Sequence, residues 1–383
     1  MQSVVARSWR RVCFQVESMM VMKRRLGCTA AALAAAVLSH AALAAPGAAA
    51  TQGAAQVGAA LSRPAVQSAL APRSVLQSAA RAGDRLVAVG ERGIVLLSDD
   101  QGKTWRQVPV PVSVGLTAVR FADAERGWIV GHGGVVLAST DGGQTWTKQL
   151  DGVQAAKLVL EDAKAAGDPR ALADAERLVA DGADKPFLDA LFFDARHGII
   201  VGAYNLAFET ADGGKTWQPI SRRLDNPRAL HLYAVRARGD EVVIAGEQGV
   251  VLRSADRARS FQRLSVPYKG SFFTAELVGE RDIVIAGLRG NVWKSSDAGA
   301  SWAQVNNPVP VSITASAQDA QGRLWLGNQA GMVLAYTGEA VVPTPAKLPP
   351  LTGLLPLKTA QSGDQALALS IAGAVPVTLG TPK

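Results

Sequence analysis

Ser139-Thr140-Asp141-Gly142-Gly143-Gln144-Thr145-Trp146 decides how this chain folds, together with the run Gly127-Trp128-Ile129-Val130-Gly131-His132-Gly133-Gly134-Val135-Val136-Leu137-Ala138 that leads into it. The pair reads as two strands and a polar turn. In a pattern S-x-D-x-G-x-T-W the Ser and Asp oxygens accept hydrogen bonds from turn amides, Gly takes a positive φ, and Trp anchors the returning strand in apolar packing. It is a hairpin device with no reactive group.

The device recurs. Near-complete copies of this Asp-box are Ser98 to Trp105, Thr210 to Trp217 and Ser295 to Trp302, and a decayed copy runs from Ser254 to Phe261, where the glycine is lost and Phe replaces Trp. The strands before each box share a pattern V-x-V-G-x-x-G-x-V-x-x-S. Its second glycine position falls at Gly93, Gly134, Asn205, Gly249, Gly290, Gly331 and Gly373, with spacings of 41, 71, 44, 41, 41 and 42 residues. Seven units of four short antiparallel strands are the signature of a β-propeller. The reading is an all-β, seven-bladed β-propeller with Asp-box (BNR-like) repeats and one helical-hairpin insertion.

Within that frame the first 45 residues stand apart. Lys23-Arg24-Arg25, an apolar run from Leu26 to Leu38 and Ala42-Leu43-Ala44-Ala45 form a secretory signal, too short to span a membrane. Residues 1–21 lie upstream of it and suggest an over-long start. The apolar run follows Cys28 instead of preceding it, unlike a lipoprotein signal. Both cysteines, Cys13 and Cys28, fall in this segment, so the mature chain carries no disulfide. The segment also holds six Lys or Arg and one acid, so its removal takes the net charge from +8 to about +3, which does not indicate a nucleic-acid binder. A soluble periplasmic protein is expected.

Residues 46–63 read as a flexible N-terminus and 64–383 as the propeller. The seventh unit leaves no room for a fourth strand before Lys383, so Pro64 to Leu70 is expected to supply the outer strand of the last blade. The extra residues of unit three, about 152–186, read as two helices: one from Lys157 to Ala166, the other from about Arg170 to Ala180 with Asp168 as N-cap and Pro169 in its first turn.

Blade topology sorts the loops. The links from second to third strand and from fourth strand to the next blade leave one face; the Asp-box turns leave the other. The G-x-x-G loops, the helical insert and the links Asp225 to His231 and Pro267 to Phe272 therefore share a face, expected to be the functional one. Its candidate partner-binding residues are Arg92, Arg289, Glu247, His132, Tyr204, His231, Tyr233 and Tyr268, because Arg and Tyr on rigid loops make good interface anchors. The alternative reading is structural, with Arg92 and Glu247 bracing neighbouring blades and His231 and Tyr233 satisfying buried backbone.

The loops Gly287-Leu288-Arg289-Gly290-Asn291, His231-Leu232-Tyr233, Gly246-Glu247-Gln248-Gly249 and Pro267-Tyr268-Lys269-Gly270-Ser271-Phe272-Phe273, with the Asp-boxes, resemble bacterial members of the photosystem II stability/assembly factor family. The resemblance covers nearly everything from Pro64 to Leu379. It implies an exported, non-enzymatic scaffold that binds a membrane-protein subunit through an arginine-bearing face, where Arg92 and Arg289 would lie. It implies no cofactor. The client could be an inner-membrane complex other than a photosystem, such as a transporter, and a monomer is expected.

Two other classes compete. A sialidase-like glycosidase needs clustered arginines and a Tyr nucleophile with a Glu partner, for which Tyr204 or Tyr268 beside Glu247 would have to serve. A glycan-binding propeller needs exposed aromatics, yet the tryptophans occupy box or strand positions. The mature histidines, His132, His197 and His231, show no zinc-site spacing.

Overall fold

The computed structural model describes residues 58–357 and 365–379. The signal segment and residues 46–57 lie outside them. Among the described residues the strands form seven antiparallel sheets, each in simple sequence order; six have four strands and the last has three. Their inner strands, Leu76–Ala82, Leu116–Phe121, Phe187–Phe192, Leu232–Arg238, Phe272–Leu277, Ile313–Gln318 and Leu351–Pro356, surround one axis. Each packs beside the next, and the seventh returns to the first.

The near-continuous apolar runs of the second strands explain the packing. Second strands such as Arg85–Gly90 and Gly198–Gly202 are buried almost throughout, because a neighbouring blade covers each face. Apolar clusters therefore straddle blade boundaries: Val87, Leu97, Leu116, Ile129 and Trp146 join the first two blades. At the next boundary Trp128 stacks on Phe192 at 3.7 Å between ring centroids, and Phe192 meets Trp217 edge-on. Trp128, Trp146, Trp217 and Trp325 are all buried, as core residues.

The polar turns have the bonding read from their sequence. Gly102 N–H donates to Ser98 Oγ at 2.8 Å, Thr104 N–H and Oγ1 donate to the two Asp100 carboxylate oxygens at 2.9 and 2.6 Å, and Trp105 Nε1 donates to Gly102 O at 3.1 Å. The decayed copy keeps the geometry: Ala258 N–H donates to Ser254 Oγ at 2.9 Å and Ser260 Oγ to Asp256 at 2.6 Å. Ala258 does so at φ 66°, where the other four turns place glycine.

The N-terminal segment departs from expectation. It does not complete the seventh blade; it runs beside the outer strand of the first. Ala65 N–H donates to Val110 O at 3.1 Å, and Gln107 exchanges side-chain bonds with Ser68 N–H and Val66 O. A 3₁₀ turn, Ala71–Arg73, then meets the last blade, where Pro72 O would lie 2.2 Å from any Cβ added to Gly373. Pro64 and Pro72 cannot donate to a ladder, which disfavours a paired strand here. Leu61, within the stretch read as flexible, is 4% exposed and part of the core.

The insertion is a helical hairpin, α1 (Gly152–Ala166) and α2 (Pro169–Asp181). Helix α1 begins five residues earlier than its composition suggested. Asp151 caps it, accepting from Val153 and Gln154 N–H, while Gln154 accepts from Asp151 N–H at 3.1 Å, a complete capping box. Asp168 caps α2 with Pro169 in its first turn, as expected.

Candidate functional site on the loop face

Five G-x-x-G-type loops share one conformation. The residue before the second glycine position is left-handed in each: Arg92 (φ 54°), Gly133 (69°), Tyr204 (54°), Gln248 (51°) and Arg289 (56°). The residue two before that position ties the loop to the start of its own blade. Glu91, His132, Ala203, Glu247 and Leu288 N–H donate to the carbonyls of Val75, Gly115, Pro186, His231 and Ser271 at 2.8–3.1 Å. Equivalent loops therefore project equivalent side chains. A left-handed conformation costs a side-chain-bearing residue about 1–2 kcal/mol relative to glycine, and only the second blade uses glycine there.

The structure gathers part of the candidate set into one row. Tyr204 N–H donates to His231 Nδ1 at 2.9 Å, which bonds the third blade to the fourth and requires that nitrogen unprotonated. Burial lowers the His231 pKa, against the pull of Glu247, in keeping with this acceptor role. The rings of Tyr204 and His231 meet edge-on at 4.6 Å, His231 and Tyr233 at 6.1 Å, and Tyr233 and Phe273 at 5.4 Å. Glu247 supports the row from below, accepting from His231 N–H at 3.2 Å and from Gln248 Nε2 at 3.2 Å. It serves its own blade and makes no ion pair with a neighbouring one among the described residues.

Tyr268 and Arg289 form a second group one blade on. The Tyr268 hydroxyl donates to Leu288 O at 3.2 Å and its ring lies near Phe272 and Trp293. Arg289 N–H donates to Ser312 Oγ at 3.1 Å, while its guanidinium is exposed. Arg92 projects from the first blade and His132 from the second, apart from the aromatic row. Neither Arg92 nor Arg289 has an ion-pair partner among the described residues, so neither guanidinium braces two blades through a salt bridge, while the Arg289 main chain is tied to the next blade at Ser312.

The tyrosines bear on the glycosidase reading. Burial, then Glu247, pushes the Tyr233 hydroxyl well above its ordinary pKa, and burial raises Tyr268 against the opposing charge of Arg289. A tyrosine nucleophile needs activation in the other direction.

The sequence reading passed over a charged cluster at the axis. Asp189 is 3% exposed and accepts from Arg120 Nη2 at 2.5 Å and from Arg236 Nη1. Arg236 reaches Glu276 at 3.5 Å, and Glu276 accepts from Ser316 Oγ at 2.7 Å and Gln318 Nε2 at 3.0 Å. Burial opposes the charge on Asp189, yet the two guanidiniums hold its carboxyl below the ordinary range. The available signal was a charged residue inside four successive apolar inner strands.

The helical hairpin adds a concavity. Arg222 pairs with Asp162 of α1 through two bonds, 2.7 and 2.9 Å, and Lys185 binds Asp181 and Asp184 while lying 5.1 Å over the Tyr204 ring. Between α2, the Tyr204 loop and the link Leu224 to Ala229 lies a groove of about 850 Å³.

Comparison with known proteins follows the same architecture. The family model of the photosynthesis system II assembly factor YCF48 matches residues 97–170 and 169–325, more than half of the chain. The photosystem II assembly lipoprotein Ycf48 of Synechococcus sp. strain CC9902 is 34% identical over 82 residues, 21% of this chain and 25% of that protein. The chain thus matches about a quarter of that relative's length. A solved structure of YCF48 bound to D1 peptide superposes with a TM-score of 0.58 at 17% identity, over 82% of this chain and 96% of that one. YCF48 from Cyanidioschyzon merolae gives 0.57 at 16% identity, over 81% and 97%. At such identities the structural likeness concerns the fold, while the family match rests on the sequence: the chain belongs to the photosynthesis system II assembly factor YCF48 family.

Proposed function

We propose that this protein is an exported, non-enzymatic assembly factor that docks a membrane-protein client on its loop face, with Arg92 and Arg289 as charged anchors and the Tyr204–His231–Tyr233 row as the aromatic platform. The observation that carries this reading is the left-handed backbone at Arg92, Tyr204 and Arg289. Backbone strain at exposed residues is a mark of function, and the Tyr204 ring also packs against His231 and under Lys185. Among the described residues the two arginines have no ion-pair partner to explain them.

The family match supports an assembly role, and YCF48 in its solved complex holds a peptide of D1. For this chain the client is a subunit of an inner-membrane complex with a periplasmic segment, and the photosystem is one such complex. The signal pattern supports export to the periplasm, and the protein acts there as a monomer without a cofactor.

A photocrosslinking amino acid placed at Leu288, on the loop face, and at Lys103, in a turn of the opposite face, tests the docking face in the native host. Adducts to an inner-membrane protein from position 288 and none from 103 are expected. Equal adducts from both, or adducts from 103 alone, would remove the loop face from the account.

A further inference from the structure

The seam between the third and fourth blades is built differently from the one before it. Where blades two and three meet, Trp128 Nε1 and Gln149 Nε2 both donate to Gly213 O, at 3.1 and 3.0 Å, and seal the junction. At the next seam Ile199 stands where Trp128 stood, and Phe261 replaces the turn tryptophan. Arg257 instead pairs with Asp194 at 2.7 Å and covers the Phe193 ring at 4.9 Å. The result is a cleft of about 470 Å³ with Phe193 and Ile199 in its wall.

The charge of this cleft is unbalanced. Arg223, Arg257 and Arg259 line it; Glu209 pairs with Arg223 at 2.6 Å, and the single Asp194 is shared by Arg257 and His197. Arg259 has no ion-pair partner among the described residues. Arg223 also lines the larger groove under the helical hairpin, whose wall includes Val159, Ala171, Leu178 and Leu224. A groove with an apolar stretch, bordered by Asp174, Asp181 and Lys185, and a basic cleft thus meet at one side chain.

We propose that this seam holds an extended polypeptide segment of the client, with apolar residues under α2 and an acidic side chain against Arg257 and Arg259. The inference rests on the docking function above and adds a second contact site to it, away from Arg92 and Arg289. The occupant is fixed by complementarity: excess guanidinium calls for a carboxylate, which it binds with charge-assisted hydrogen bonds, and the adjoining groove takes apolar side chains. The groove walls are set before binding, since Asn226 Nδ2 donates to Asn205 Oδ1 at 2.9 Å and Arg222 ties the hairpin down, which limits the ordering cost.

The test is selection of a random-peptide phage library on residues 46–383, followed by titration of the enriched peptides. Peptides pairing an acidic residue with an apolar stretch should emerge. Their affinity should fall tenfold or more in Arg259→Glu and, separately, in the groove-filling Ala171→Glu, both checked for native circular dichroism, and should be unchanged in Arg92→Glu/Arg289→Glu. Absence of such peptides would overturn the proposal, as would binding that both seam variants retain. Binding lost only in the Arg92/Arg289 variant would overturn the seam site while leaving the loop-face function standing.

Discussion

The Thr352 hydroxyl of the last blade donates to the main-chain carbonyl of Leu76, the first residue of the first inner strand. The same bond joins Thr117 to Phe187 O at 2.8 Å and Thr314 to Leu351 O at 2.7 Å. A threonine at the second position of an inner strand thus reaches the next blade at three junctions, one of which closes the ring. Thr352→Val keeps the shape and removes the donor, and should cost about 1–2 kcal/mol by leaving Leu76 O unpaired. Urea denaturation of this variant beside Thr314→Val measures it; no loss at either site would show that the ring closes without these bonds.

The axial cluster makes a larger prediction. Removing Asp189 leaves Arg120 and Arg236 facing each other without their shared carboxylate, so Asp189→Ala should destabilise the protein by about 3–5 kcal/mol, the usual penalty for half of a buried ion pair. Neutralising the whole cluster, as in Arg120→Met/Asp189→Leu/Arg236→Met/Glu276→Gln, should recover much of that loss, since Glu276 would otherwise be left without Arg236. Thermal melts of the two variants give the comparison.

The turn carboxylates predict the acid limit of stability. Bonds from Thr104 and Ser98 hold Asp100 at about 2, and Asp256 and Asp297 are held there in the same way by Ser260 with Ser254 and by Ser301 with Ser295. A carboxylate whose folded pKa lies below its unfolded value adds stability above the unfolded value and loses it as the pH falls through the folded one. The urea midpoint should therefore change little, as far as these groups decide it, from pH 7 to 5, then fall between about pH 4 and 2. Asp297→Asn should lower stability at neutral pH and shrink that acid dependence.

Ala258 offers a stabilising change. It is buried at φ 66° in a position held elsewhere by Gly102, Gly143, Gly214 and Gly299, at φ 83–92°. Ala258→Gly relieves the left-handed strain but gives the unfolded chain more freedom, for a net gain of about 0.5–1 kcal/mol. A Tm that falls would show that the Ala258 methyl packs better than it strains.

The fold was legible because two independent rulers, the turn motif and the G-x-x-G pattern, agree on the period. The path of Pro64 to Leu70 was not legible, since a short apolar alternation fits an outer strand of either neighbouring blade and only tertiary contacts choose between them. The left-handed residues before the second glycine were hidden for another reason. Arg92, Tyr204, Gln248 and Arg289 are residue types that ordinarily avoid that conformation, so composition pointed to the glycine, or Asn205, beside them. The seam cleft and the axial ion pairs join residues from different blades, a pairing that periodicity within one unit does not reveal.

On the proposed function, Arg92 and Arg289 present their guanidiniums to a client from a left-handed backbone. Capture of membrane-protein complexes from solubilised membranes of the native host, with residues 46–383 as bait beside an Arg92→Gly/Arg289→Gly variant, tests it most directly. Glycine removes both side chains and relieves both left-handed residues, so the variant should be at least as stable as the parent and should no longer capture the complex. A variant that captures it undiminished, or a parent protein that captures no membrane complex, would rule out docking through Arg92 and Arg289.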